Sequence, residues 1–127
     1  MKYLTTIGRI LFALPFAVFG LNHFFMVDFY TGMLTSFIPG SSFTILLTGL
    51  ALIAASISII IKRYIKLSCI LLAIMLLLFI LTIHIPQLFD ASTKMFAMVE
   101  LLKDLALMGG ALMIAGIYQK GENESGI

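Results

Sequence analysis

Five ionisable side chains in an otherwise apolar sequence could do chemistry: His23, His84, Glu100, Lys103 and Asp104. Carboxyl and imidazole groups exchange protons and hydrogen-bond to ligand carbonyls, and a nearby lysine changes their pKa values. On a helix, Lys103 lies about 60° to one side of Glu100 and Asp104 about 40° to the other. The spacing therefore predicts that these three charges share one polar sector of one helix.

The composition around these residues is that of a membrane protein. Hydrophobic residues make up 61% of the 127 positions and charged residues 11%, whereas soluble domains carry about 25% charged residues. The lipid bilayer is therefore the first expected partner. A net charge of +2 without a basic stripe argues against a nucleic-acid partner. Cys69 is the single cysteine, so the chain has no pair for dithiol chemistry.

Four apolar runs predict four transmembrane helices, at about residues 4–27, 42–61, 67–85 and 95–118. Each run approaches or exceeds the roughly 20 residues that cross ~30 Å of hydrocarbon as a helix. The runs lack the period-two alternation of a membrane β-barrel. We predict an all-α fold, a polytopic four-helix membrane bundle forming one domain over residues 1–127.

The basic residues predict the orientation of the bundle. One side would carry six of them, and the opposite loops offer only Lys94. The positive-inside rule then places both termini in the cytoplasm, in a multi-pass protein of the cytoplasmic (inner) membrane. The six are Lys2, Arg9, Lys62, Arg63, Lys66 and Lys120. We expect Arg9 to extend its side chain to the cytoplasmic headgroups.

The first outer loop contains a second helical pattern. Its apolar residues recur with the spacing of one helix face, and Pro39 and Gly40 follow them. They are Phe29, Tyr30, Met33, Leu34 and Phe37. The pattern predicts a short helix lying in the membrane interface, and an ordinary hydrophobic loop is the alternative.

Small residues predict how the helices pack. Helices one, two and four carry alanine, glycine and serine, which let helices approach closely in lipid. Examples are Gly20 in helix one, Gly49 in helix two and Gly109 and Gly110 in helix four. Helix three has almost none, so we expect it to face lipid or another subunit over much of its surface.

The charges of helix four need partners. A charged residue at the centre of a membrane helix costs roughly 2.5–3.5 kcal/mol, and a large apolar residue returns about 0.3–0.6 kcal/mol. Asp104 lies about 5 Å from the predicted midplane, Lys103 about 6 Å and Glu100 about 10 Å. The nine large aliphatic and aromatic residues between positions 96 and 117 offset roughly one and a half such charges. The charges should therefore face the bundle or a hydrated cavity.

His23 and His84 lie at the same predicted depth as these charges. We predict an outward-facing polar chamber between helices one, three and four, roofed by the first outer loop, as the candidate ligand-binding site. Simpler roles stay open: Lys103 and Asp104 as an electrostatic lock, His84 as a donor to a carbonyl, and His23 as an interfacial histidine. No further ligand spacing accompanies the two histidines, so we predict no metal or haem site.

Five segments resemble the DoxX family of small bacterial and archaeal membrane proteins. They are residues 8–11 (GRIL), 19–24 (FGLNHF), 48–55 (TGLALIAA), 83–86 (IHIP) and 102–112 (LKDLALMGGAL). They occur in the family's order over nearly the whole chain. The resemblance implies a four-helix membrane bundle. Many relatives carry a glutamate in helix two after the glycine that Gly49 matches, and this sequence has no acid there.

The resemblance also implies a role beside redox enzymes. The family is named for a subunit linked to a terminal quinol oxidase and to thiosulfate:quinone oxidoreduction, and other members are associated with oxidative-stress complexes. We therefore expect an accessory subunit that binds quinone in the polar chamber and serves an oxidoreductase partner, not a stand-alone enzyme. The chain has no flavin motif or cysteine pair with which to carry electrons itself.

Two other functions fit the sequence. A small proton-coupled transporter acting as a homo-oligomer would use the acids of helix four, although the known small multidrug transporters place their key acid in helix one. A purely structural subunit of a larger complex would use the nearly uniform apolar surface of helix three.

Overall fold

The computed structural model describes the backbone of residues 2–27 and 41–125 and the side chains of residues 3–27 and 42–118. The interfacial helix predicted in the first outer loop falls on residues 28–37, outside the described part of the chain. The described residues contain helices and short turns and no strand.

Four long helices follow one another in the chain. They are α1 (Lys2–Phe25), α2 (Ser41–Ile60), α3 (Ile65–Gln87) and α4 (Lys94–Ser125). Each contains a stretch long and apolar enough to cross a membrane. The predictions of an all-α fold and of four helices long and apolar enough to span a membrane are confirmed for the described residues. The predicted bounds agree within two residues, except that α4 continues seven residues past position 118.

Helices α1 and α2 form a pair whose backbones touch. A Cβ atom added to Gly20 would lie 2.7 Å from the Gly49 carbonyl oxygen, and one added to Gly49 would lie 2.9 Å from the Gly20 carbonyl oxygen. A side chain larger than hydrogen has no room at either position. The small-residue prediction thus holds at this crossing, where close approach replaces the hydrophobic driving force that lipid does not provide.

Helices α3 and α4 form the second pair, and alanines line it on α4. Ala97, Ala111 and Ala115 are buried. The glycines of α4 contribute less to close helix packing than we expected. A Cβ atom added to Gly109 would meet nothing within 4 Å. Gly110 faces the ring of Phe12 on α1, 3.2 Å from the position of an added Cβ.

Helix α3 is more buried than the sequence suggested. About a third of its spanning residues are buried, the largest share among the four helices. One face, which includes Cys69, Leu72 and Leu76, packs into the core with Phe16 of α1 and Leu52 of α2. The opposite face is exposed, so the expectation of a lipid-facing helix is correct for that face alone. Long side chains fill the space between the two helix pairs, which small residues could not fill.

Arg9 ties the other end of the bundle together, and its expected extension to the headgroups is wrong. Its Nη1 donates to the carbonyl oxygens of Ile59 and Ile60 at 2.6 and 2.7 Å, and its Nε donates to the Tyr118 hydroxyl at 3.2 Å. The last carbonyls of a helix have no partner within the helix and carry partial negative charge. The buried guanidinium satisfies those of α2 and reaches α4 at the same time.

Candidate functional site

The last turns of α3 depart from the α-helix in front of a proline. Residues Ile80–His84 form a π-turn, and Pro86 follows within the helical stretch Ile85–Gln87. Proline has no N–H, and its ring crowds the carbonyl four residues earlier, here that of Thr82. A π-turn relieves this crowding by closing i→i+5 hydrogen bonds, which accommodate one additional residue in the turn. Such turns are frequent at functional sites.

The π-turn decides which way His84 points. In an uninterrupted α-helix, Ile83 would lie about 20° from the buried Leu76 and His84 about 80° from it. The additional residue moves His84 back to roughly the angular position that Ile83 would have occupied. His84 is accordingly buried, and Ile83 is only partly so. Periodicity alone would have placed the imidazole to the side of the core.

Asp104 faces this imidazole from α4. The His84 Nε2 and Asp104 Oδ2 atoms lie 2.8 Å apart, and each side chain is only 6% exposed. Asp104 stands midway between the buried Ala97 and Ala111, seven residues from each, on the stripe that packs against α3. The two alanines let the helices approach closely enough for the short aspartate to reach the ring.

Glu100 and Lys103 lie beside this pair, nearer the surface. The Lys103 Nζ donates to Glu100 Oε2 at 2.6 Å and lies 5.2 Å from the centre of the Phe19 ring on α1. The Lys103 side chain is 40% exposed and that of Glu100 24%. Every charge therefore has a partner, as the insertion cost demanded. We predicted that all three charges face inward. Asp104 is buried, Glu100 is partly buried, and Lys103 lies at the exposed edge of the same helix face.

Three of the five predicted residues come within ligand distance of one another. His84, Glu100 and Asp104 each offer one ligand atom, and these atoms all lie within 4.8 Å of one another. The group consists of two carboxyl groups and one imidazole, and the Lys103 amine bonds Glu100 beside it. The chemistry available here is proton exchange, hydrogen bonding to a ligand, and cation binding.

His23 does not lie beside His84 and the charges of α4, where we predicted it. Its Nδ1 is 2.6 Å from the Phe19 carbonyl oxygen, in the hydrogen-bonding position of its own helix. Its Cβ packs against Gly49, 2.7 Å from the position of a Cβ added there. His23 thus belongs to the α1–α2 crossing. Its link to the site runs through Phe19, whose ring lies near Lys103.

Two buried polar atoms near the end of α3 have no hydrogen-bond partner among the described residues: His84 Nδ1 and Gln87 Oε1. A buried polar atom without a partner costs about 1–3 kcal/mol. When the Nε2–H donates to the Asp104 carboxylate, Nδ1 keeps a free lone pair and can accept a proton. Gln87, Phe19 and Pro86 had no predicted role at the site. Pro86, two residues after His84, was the available signal for the π-turn.

No family model, curated protein or solved structure matches this chain. The function of the site therefore has to be inferred from its own residues, and chiefly from the His84–Asp104 pair.

Proposed function

We propose that the protein is a membrane accessory subunit that binds quinone or quinol at the His84–Asp104 pair and takes up or returns the protons of its redox reaction. One observation carries this proposal: a buried imidazole is held by a buried carboxylate at 2.8 Å, and its second ring nitrogen has no partner in the described part of the chain. An apolar bundle with few polar groups is also a suitable environment for a lipid-soluble ring.

The pair can act as a base toward a quinol hydroxyl. The O–H would donate to His84 Nδ1, and the ring would accept the proton when the quinol is oxidised. Asp104 then holds the imidazole in one tautomer and stabilises the imidazolium that forms, as the carboxylate of a catalytic triad does. The first proton goes to His84, the proton of the opposite hydroxyl goes to water, and two electrons leave to the partner oxidoreductase, so the reaction yields the quinone. The reverse reaction uses the imidazolium as donor to the quinone carbonyl.

Glu100 supplies the route for the proton. It is more exposed than Asp104 and lies within 4.8 Å of the pair. A proton can pass from the imidazolium through Glu100 to water at this end of the bundle. From the distribution of basic residues we expect this end to lie outside the cytoplasm.

The resemblance to the DoxX family supports the same class of function. The family's named member is linked to a quinol oxidase, and the segments IHIP and LKDLALMGGAL supply His84 and Asp104 here. The glutamate that many relatives carry in helix two is missing, since residues 50–58 contain no acid. In this chain the proton acceptor is therefore His84 of α3, paired with Asp104 of α4.

Quinone titration of the purified full-length protein tests the proposal. We expect decylubiquinone to bind the wild type and the His23→Ala variant with similar affinity, because His23 lies at the α1–α2 crossing. His84→Ala should weaken binding at least tenfold, and Asp104→Asn should weaken it less. Absence of quinone binding to the wild type, or equal weakening by both histidine variants, would overturn the proposal.

The transport hypothesis predicts a different result for the same residues. Proton-coupled flux in liposomes should then depend on Asp104 and Glu100 and should be lost in Asp104→Asn. Flux that is absent from the wild type, together with quinone binding that needs His84, favours the accessory subunit over the transporter.

A further inference from the structure

The three-residue group of His84, Glu100 and Asp104 has the geometry of a metal-binding site. Glu100 and Asp104 are four residues apart on α4, which places their carboxylates on neighbouring turns of one face. His84 enters from α3, so two helices contribute ligands. One atom from each residue already lies within 4.8 Å of the other two, so side-chain rotations alone can bring them around one ion.

The charge balance of the group favours a cation. Asp104 is 4% exposed, and its closest partner among the described residues is the His84 imidazole, which is not a permanent cation. The one positive charge nearby, on Lys103, lies on the exposed side and bonds Glu100. A buried carboxylate without a full counter-charge is costly in an apolar bundle. A divalent ion between the two carboxylates would supply that charge.

The unpartnered atoms of α3 give independent support. A metal-bound histidine usually donates its second ring N–H to an acceptor outside the coordination shell. If Nε2 binds a metal, Nδ1 must carry the hydrogen and needs an acceptor. Gln87 Oε1 is a buried acceptor with no partner among the residues that the structure describes. It lies three residues further along the same helix, on the same side. Both unsatisfied atoms would then have the roles that metal binding demands.

We propose that His84 Nε2, Asp104 and Glu100 bind a divalent transition-metal ion, with Gln87 as the acceptor for His84 Nδ1–H. One nitrogen and two carboxylate oxygens suit Zn²⁺, Mn²⁺ or Fe²⁺, whereas Ca²⁺ and Mg²⁺ prefer oxygen ligands alone. Three protein ligands leave coordination positions open, as in catalytic rather than structural zinc sites. Glu100 can keep Lys103 on one oxygen and offer the other to the ion.

The proposal departs from our prediction from sequence that the chain has no metal site. That prediction considered His23 and His84 as the pair and found no further ligands. The structure separates the two histidines and instead brings two carboxylates to His84. The inference does not rest on quinone binding. The metal-bound imidazole donates from Nδ1, whereas quinol oxidation needs Nδ1 as an acceptor, so the ion and the quinol are alternative ligands of His84.

Metal titration of the full chain in detergent, stripped with a chelator, tests this site. We expect one Zn²⁺ per chain by calorimetry, and no displacement of Zn²⁺ by excess Ca²⁺. His84→Ala and Asp104→Asn should each weaken binding by more than about 100-fold, beyond the effect of losing an outer partner. Gln87→Ala should weaken it about 10- to 100-fold, as an outer partner does.

Matched controls separate this site from adventitious binding. His23→Ala removes a buried histidine elsewhere, and Asp90→Asn removes an exposed carboxylate that is bonded by Ser92 in the turn before α4. Both should bind Zn²⁺ like the wild type. Binding that survives in the ligand variants, binding lost equally in the controls, or none in the wild type overturns the proposal.

A measurement on the wild type covers the case in which a ligand variant does not fold. Mn²⁺ bound to the unmutated protein should show nitrogen coupling from one imidazole in pulsed electron paramagnetic resonance. Bound Mn²⁺ without such coupling contradicts the site. Quinone binding is measured separately, on chelator-treated protein. A failure of the metal-site proposal can therefore be distinguished from a failure of the quinone proposal.

Discussion

His84 and Asp104 come from different helices, and their side chains meet at 2.8 Å in the buried part of the bundle. Hydrogen bonds that involve a charged group stabilise by about 1.5–3 kcal/mol. Such a pair can be a structural lock or a reactive site, and substitution of one or both partners distinguishes them. If the pair is only a structural lock, apolar side chains in its place can restore the stability of the protein and nothing else is lost. If the pair is a reactive site, apolar side chains cannot restore ligand binding.

The first prediction concerns this pair. Asp104→Leu alone should lower the free energy of unfolding by about 2–4 kcal/mol, because the imidazole loses its partner. The double variant His84→Leu/Asp104→Leu should recover most of that loss, since well-packed apolar residues often replace a buried polar pair without penalty. Quinone and Zn²⁺ binding should stay lost. Detergent-unfolding curves and the two titrations measure this, and recovered ligand binding in the double variant would contradict it.

The second prediction concerns the π-turn. Pro86→Ala restores the missing N–H, so α3 should close to a regular helix and turn His84 away from Asp104 by about 100°. Zn²⁺ affinity should fall to the level of His84→Ala while the protein remains folded. Pro15→Ala, which removes the proline within α1, is the matched control and should bind normally.

A compensating variant makes this test sharper. Adding Ile83→His and His84→Ile to Pro86→Ala puts an imidazole back at the inward position of the straightened helix. Zn²⁺ binding should return. No recovery in this triple variant would show that the π-turn does not set the direction of the imidazole.

The third prediction concerns the glycines at the α1–α2 crossing. Gly20→Ala and Gly49→Ala each place a methyl group within 3 Å of the facing backbone, so each should destabilise the protein by about 1–3 kcal/mol, the usual cost of overpacking. Gly109→Ala and Gly116→Ala meet open space and should be neutral or stabilise by up to about 1 kcal/mol. Equal effects at all four positions in unfolding experiments would contradict the close crossing.

The fourth prediction concerns the clamp at the opposite end. Arg9→Lys keeps the charge but loses the guanidinium geometry that bonds two carbonyls and the Tyr118 hydroxyl, so it should cost about 1–3 kcal/mol. Tyr118→Phe removes one hydrogen bond and keeps the ring, and about 0.5–1.5 kcal/mol is expected. Arg63→Lys, at an exposed arginine, is the control and should change stability little.

The fifth prediction concerns Lys103, whose role differs from that of the ligands. Lys103→Gln should change the free energy of unfolding by less than about 1 kcal/mol, as is usual for an exposed ion pair. It should strengthen Zn²⁺ binding several-fold, because it removes a positive charge that competes for Glu100. Weaker Zn²⁺ binding in this variant would mean that Lys103 supports the site rather than competing with the ion.

Much of the fold was predictable because it depends on local properties of the chain. The length and apolarity of a run of residues can be read directly from the sequence, and they predict a membrane-spanning helix. All four helices were predicted on that basis. The placement of Glu100 and Asp104 on one helix face followed from the 3.6-residue repeat. The cost of burying charges also predicted correctly that each would have a partner.

Which residues meet at the site could not be predicted from helical periodicity, because it depends on a π-turn and on how the helices cross. His84 reaches Asp104 because Pro86 forces a π-turn, and regular helical spacing assumes that no such turn occurs. His23 lies elsewhere because Gly20 and Gly49 bring α1 against α2 and carry the imidazole into that crossing. Arg9 turned inward because the carbonyls at the end of α2 were within its reach.

The sequence by itself determined that four apolar helices form and that helix four carries charges which need partners. Only the tertiary structure decided which partners they have. The reason is physical: helix formation in an apolar chain is governed by neighbours along the backbone, whereas a buried polar group is stabilised by whichever complementary atom another helix brings within hydrogen-bonding distance. For Asp104 that atom is the Nε2 of His84.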